Sequence, residues 1–117
     1  MSKLTESILC GIDYNCVKQI RRNNYQYLDE YLGETNHIHL KLDDNGVPMV
    51  YPYFIDDLAL RKKLINNKFF VATYWQGVRE WTKEGMLERE LVEKMLPLPC
   101  DHRYSIGEMI NIVNFIR

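Results

Sequence analysis

The strongest constraint in this sequence is a helix-length amphipathic stretch between Asp13 and Gly33. Val17, Ile20, Asn24, Leu28 and Tyr31 recur at spacings of three and four, which places them on one face of a helix. Lys18, Arg21, Arg22, Asp29 and Glu30 fall elsewhere on its surface. Asp13 is suited to cap the start because its side-chain oxygen can accept a hydrogen bond from the first free N–H groups. Gly33, just after Leu32, is the natural stop. A helix with one apolar face asks for a second layer to cover it.

The rest of the chain supplies that layer. The segment before Gly11-Ile12-Asp13 reads as a further helical piece. His37 to Leu42 alternates polar and apolar residues, the period of a half-buried strand. Asp43-Asp44-Asn45-Gly46 follows, and Asn-Gly favours a tight hairpin turn because both positions tolerate positive φ. The partner strand runs from about Pro48 to Phe54. Pro48 and Pro52 each lack a backbone donor, so it belongs at an edge or is irregular. Asp56-Asp57 opens a short helix with Leu60 and Leu64 one turn apart, ended by Asn66-Asn67, and Lys68 to Tyr74 reads as a third strand.

Beyond an irregular stretch from Trp75, a helix presents Leu87, Leu91, Val92 and Met95 on one face and carries Glu88, Glu90, Glu93 and Lys94 outward. Leu96-Pro97-Leu98-Pro99 is at most a brief edge strand. Ser105-Ile106-Gly107-Glu108 is a capping box, and Ile106, Met109, Ile110, Val113 and Ile116 mark the buried face of the last helix. The order α-β-β-α-β-α-(β)-α predicts an α+β fold, a small mostly antiparallel sheet with helices on one face. At 117 residues, with no repeat or linker, residues 1–117 are expected to form a single domain.

Composition narrows the partners. Fifteen Lys and Arg against sixteen Asp and Glu favour neither a nucleic-acid backbone nor an anionic membrane. Three cysteines are the wrong number for a disulfide framework and fit a reducing compartment. No stretch has the apolar continuity of a signal peptide or a membrane span. The expectation is a soluble, cytoplasmic protein. Eight of its fourteen large aromatic rings are tyrosines, so most carry a hydroxyl.

Chemical motifs are sparse. His37 and His39 share one face of the expected strand, and Cys100 with His102 would add two soft ligands. No closely spaced pairs gather them, and the bland reading is a wet strand face. The Asp43–Gly46 run lacks the spaced ligands of a calcium loop. Cys100 and His102 point the same way on an extended segment, but no third group orients them as a nucleophile pair. The glycines are single and form no phosphate cradle. Lys18, Arg21 and Arg22 have acids nearby and read as a solvated face.

A family resemblance adds what the motifs lack. Arg21-Arg22-Asn23-Asn24-Tyr25, with Leu28 and Leu32, resembles the R-R-x-N-Y-x-x-L-x-x-x-L helix of DegT/DnrJ-type aminotransferases. Tyr51-Pro52-Tyr53 and Leu60-Arg61-Lys62-Lys63-Leu64 resemble the strand and helix that follow it there. Leu96-Pro97-Leu98-Pro99-Cys100-Asp101-His102-Arg103-Tyr104-Ser105 is similar to the L-P-L-P-x-D-x-R-Y-S run before the terminal helix. The resemblance covers essentially the whole chain, and it is to the C-terminal small domain of these enzymes.

The resemblance implies a part of an enzyme of the aspartate-aminotransferase-like fold that uses pyridoxal phosphate (PLP) to aminate nucleotide-linked keto-sugars. The family's large domain carries the cofactor and its Schiff-base lysine. No lysine here lies in a matching motif, so the chain is expected to bind no PLP alone, to be inactive alone, and to have that large domain as its partner. Thr73-Tyr74-Trp75-Gln76 falls where the family often has a His-Tyr-Pro turn, which nominates Tyr74 and Trp75 as substrate-wall residues. Trp75 and Gln76 depart from that pattern, and Trp75 packing under its loop is the alternative. Arg103 is a third candidate, either gripping a substrate carboxylate or satisfying groups beside the Ser105 cap. The rival reading is a stand-alone binding or oligomerisation module, a homodimer included, using an aromatic face formed by Tyr51 to Tyr53 and Tyr74 to Trp81.

Overall fold

The long helix is present as α2, Tyr14–Leu32, in a computed structural model that describes residues 1–117. It follows α1, Lys3–Cys10, and precedes β1, Val50–Phe54. Then come α3, Leu60–Asn66, the short α4, Val78–Trp81, and α5, Leu87–Lys94. The last elements are β2, Met95–Pro99, and α6, Ile106–Ile116. The class is α+β, as the periodicities predicted. No helix is long and apolar enough to cross a membrane.

Both sequence caps form. Asp13 Oδ1 accepts from the Cys16 N–H at 3.0 Å. Ser105 and Glu108 make the reciprocal capping box, with the Ser105 N–H donating to Glu108 Oε2 at 2.8 Å. Those bonds hold the Glu108 carboxyl below its usual range. Gly33 follows α2 with helical φ and ψ of −60° and −35° rather than as a left-handed stop, and a Cβ there would lie 2.4 Å from the Asp29 carbonyl oxygen.

The sheet has two strands, β1 antiparallel to β2, in the register Tyr51↔Leu98 and Tyr53↔Leu96. Antiparallel pairs alternate between hydrogen-bonded and non-bonded positions. Pro52, Pro97 and Pro99 occupy the pairs Pro52↔Pro97 and Val50↔Pro99. The alternation therefore assigns every proline to a non-bonded position, where a missing N–H removes no ladder bond. This is how a strand containing two prolines pairs at all.

Tyr51, Tyr53, Leu96 and Leu98 share one face and are buried with Leu28 and Leu32 of α2 and Met109, Ile112 and Val113 of α6. Each such aliphatic side chain contributes about 2 kcal/mol by leaving water. The two buried tyrosines keep their hydroxyls bonded. Tyr51 Oη donates to Asp29 Oδ1 at 3.1 Å and accepts from Asn36 Nδ2 at 3.2 Å. Tyr53 Oη lies 2.7 Å from Thr35 Oγ1. The expected aromatic docking face is thus corrected at Tyr51 to Tyr53, which lie inside the core. The buried stripe of α2 is also turned, running through Asn24, Tyr25, Leu28 and Leu32 and leaving Tyr31 exposed. Tyr25 displaces the stripe because its ring packs edge-on against Tyr51, 5.1 Å between centroids, while its hydroxyl donates to the Leu40 carbonyl. On α6 the buried residues are Met109, Ile112 and Val113, with Ile106 and Ile110 partly exposed.

Two expected strands, His37 to Leu42 and Lys68 to Tyr74, stay outside the sheet. The turn at Asp43–Gly46 closes, Gly46 N–H to Asp43 O at 3.3 Å, but joins no hairpin. Side chains have taken the positions a ladder would use. The Asn36 amide donates to Pro52 O at 2.8 Å and accepts from the Phe54 N–H at 2.9 Å, acting as a substitute peptide on the outer edge of β1. Arg21 and Arg22 then hold the carbonyls of Pro48, Asp43 and Gly46. At the other edge, the Arg61 guanidinium donates to Ala72 O, Thr73 Oγ1 and Met95 O, bridging the gap that a third strand would fill.

Outside this core the chain is extended. α1 buries none of its residues. The radius of gyration is 16.3 Å, against about 13 Å for a compact domain of this length. The accessible surface is 8225 Å², against about 6,700 Å² for a compact monomer of 14.0 kDa.

Candidate functional site

Strand alternation sends Val50, Pro97 and Pro99 to the face opposite Tyr51 and Leu98. That second face floors a cavity of about 190 Å³. Its wall is the segment after α3, which contributes Phe70, Ala72 and Tyr74, every second residue. Arg21 from α2 and Asp101 and Arg103 from the loop before α6 supply the polar rim. Two of the three residues nominated from the sequence, Tyr74 and Arg103, therefore meet in one cavity although 28 residues separate them in the chain.

The 100–104 loop is positioned by Asn24, a buried polar residue of α2. Its Nδ2 donates to the carbonyls of Cys100 (3.3 Å), Asp101 (3.2 Å) and Tyr104 (2.9 Å). Within the loop, Asp101 Oδ2 accepts from Arg103 Nε at 2.8 Å and pairs with Nη2 at 2.7 Å. That bonding pushes the Arg103 guanidinium above its ordinary range. Asp101 Oδ1 is buried and has no hydrogen-bond partner. Buried polar atoms are nearly always paired, so this oxygen is an exception in the fold.

Trp75 is placed differently from either sequence reading. It neither lines the cavity nor packs under its loop, and it is 63% exposed. Its ring meets Tyr74 edge-on, 5.6 Å between centroids, and its φ is +53°. A left-handed backbone costs a bulky residue about 1–2 kcal/mol, and here the Val78 N–H closes a turn onto the Trp75 carbonyl at 2.9 Å. The turn holds this ring beside Tyr74.

The other candidates separate. Cys100 is fully buried and burial pushes its thiol up to about 12, so it offers no thiolate to a base. His102 is exposed. No group of three or more His, Cys, Asp or Glu side chains is gathered as a metal centre. His37 packs against Phe54 instead, 6.0 Å between ring centroids.

PLP requires a lysine amine, an acid at the pyridine nitrogen and cover for both ring faces. The Tyr74 cavity has no lysine. A cavity between α3, α4 and α5 has Lys62 and Glu93, but its only apolar lining is Leu58 and it has no aromatic ring. Neither lining fits the cofactor. Sequence reasoning missed Arg21, Asp101 and Phe70 as lining residues. The alternation Phe70-Ala72-Tyr74 was a usable signal for the last of these, whereas Arg21 on an exposed helix face carried none.

Comparison of the chain with protein-family models, with curated proteins and with solved structures returned no match.

Proposed function

We propose that this chain is the C-terminal small domain of a DegT/DnrJ-type, PLP-dependent nucleotide-sugar aminotransferase, forming part of the substrate wall and inactive alone. The observation that carries the reading is the convergence of Tyr74, Arg103 and Asp101 on one cavity. That combination suits a sugar. Hydroxyls donate to carboxylate oxygens, arginine forks donate to hydroxyl or carboxylate oxygens, and aromatic rings cover C–H faces. The cofactor then belongs to a large partner domain.

The decisive test is the DNA immediately upstream of Met1. An open frame encoding a PLP-binding domain, whose product transaminates a nucleotide-linked keto-sugar only with this chain present, is the expected result. A stop codon and promoter at that position overturn the full-length reading. The purified chain mixed with PLP should show no absorbance of bound cofactor. In the assembled enzyme, Tyr74→Ala and Arg103→Ala should raise KM by about ten-fold, the effect of losing one or two ground-state contacts.

The stand-alone binding or oligomerisation reading has one observation in its favour. Phe70, Trp75 and Trp81 are 73%, 63% and 80% exposed, an unusual density of bare rings. Light scattering over a concentration series separates the two, since a strict monomer at high concentration removes the homodimer.

A further inference from the structure

We propose that the cavity between α3, α4 and α5 is a second ligand site, for a phosphoryl group carrying two or more negative charges, such as a diphosphate ester. Arg61 and Lys62 come from α3, Arg79 from α4, and Arg89 and Glu93 from α5, lining an open cleft of about 360 Å³. Three helices separated in sequence bring these cations together, unlike a charge run on one solvated face. Glu93 is already taken by Arg89, whose Nε lies 2.9 Å from Glu93 Oε1. Arg61, Lys62 and Arg79 have no carboxylate partner. Three uncompensated cations thus face one opening in a chain of net charge −1.

Such crowding is unfavourable in the empty protein. Burial and then the neighbouring Arg79 both hold the Arg61 guanidinium below its ordinary range. An anion removes the cost, and the count of charges selects its class. One carboxylate leaves two cations uncompensated, whereas a diphosphate answers all three. With Leu58 as the sole apolar residue of the lining, the site suits no hydrophobic ligand. The donors are also graded. Arg61 is clamped by its bonds to Ala72, Thr73 and Met95, and Arg89 by Glu93 and the Arg79 carbonyl. The side chains of Lys62 and Arg79 make no hydrogen bond within the protein and retain every donor for a ligand. This site stands independently of the aminotransferase reading.

The test is a titration of the full chain with pyrophosphate, inorganic phosphate, uridine diphosphate and acetate at constant ionic strength, followed by amide NMR shifts. Pyrophosphate and uridine diphosphate should saturate with Kd below about 1 mM. Inorganic phosphate should bind more weakly, and acetate should not saturate. Equal Kd values for the first two assign recognition to the phosphoryl groups alone, and a tighter nucleotide extends the same site to a nucleoside. Lys62→Gln and Arg79→Gln should each weaken binding about ten-fold at an unchanged melting temperature, since neither side chain supports the fold. Failure of pyrophosphate to saturate, matching shifts with acetate, or wild-type affinity in both variants overturns the site.

Discussion

The two terminal helices carry the same kind of pattern and meet opposite fates. α6 sets Met109, Ile112 and Val113 against α2 and the sheet, and all three disappear from solvent. α1 places Leu4 and Ile8 one turn apart, as a buried helix would, yet they remain 73% and 60% exposed. The difference lies in what the rest of the chain offers each face. Spacing tells that a helix has an apolar side; only a matching surface makes that side part of a core. Here the sheet has one helix-covered face, and α2 and α6 fill it.

The sharpest way to break this contrast is to cut equivalent side chains from the two regions. Leu98→Ala, at a fully buried position, should cost about 3 kcal/mol in urea unfolding. A loss under 1 kcal/mol would mean that the sheet is not the centre of the core. Asn24→Ala comes next. It strands the carbonyls of Cys100, Asp101 and Tyr104, and should cost about 2 kcal/mol while loosening the loop that carries Asp101 and Arg103. Unchanged hydrogen exchange in residues 100–104 would sink that assignment.

Alkaline pH probes the same core without mutation. The Cys100 thiol, ordinarily ionising at 9.0, is held protonated to about 12 in the folded state. Its contribution is therefore complete below pH 9 and is lost as pH rises toward 12, because the unfolded chain then binds fewer protons. Stability should fall by up to about 1 kcal/mol per pH unit in that window. A Cys100→Ser variant with the same slope would remove Cys100 as the cause. The buried Tyr51 hydroxyl, also pushed up by burial, adds to the fall above pH 10. In native protein a thiol reagent should label Cys10 and Cys16 quickly and Cys100 only on unfolding.

Ser105→Ala removes half of the α6 capping box and should cost about 1 kcal/mol by thermal melting. The smallest effect belongs to α1. Leu4→Ser with Ile8→Ser should change the stability of the chain by less than about 0.5 kcal/mol. A larger loss would show that α1 is covered in solution.

Several elements were legible because their signals are local. The Asp13 and Ser105 caps, the Asn45-Gly46 turn and the α2 periodicity need only neighbouring residues to act, and each appears in the structure. The strands at 37–42 and 68–74 were misread for a non-local reason. Alternation marks both segments as possible strands, but whether such a segment pairs depends on what occupies the sheet edge. Asn36 and Arg61 occupy it, and nothing in their own neighbourhoods announces it. The cavity was half legible. Tyr74 and Arg103 came from motifs, while Arg21 and the orphan oxygen of Asp101 emerge only once the loop has folded over α2.

The prolines and substitute amides along the sheet have one more consequence. Pro97 and Pro99 leave the outer rim of β2 short of N–H groups, and Asn36 with His37 occupies the outer rim of β1 at Pro52 and Phe54. Edges blunted in this way are poor templates onto which a neighbouring chain could add a strand. Bare rings and an uncovered helix allow this molecule to stick to another face to face.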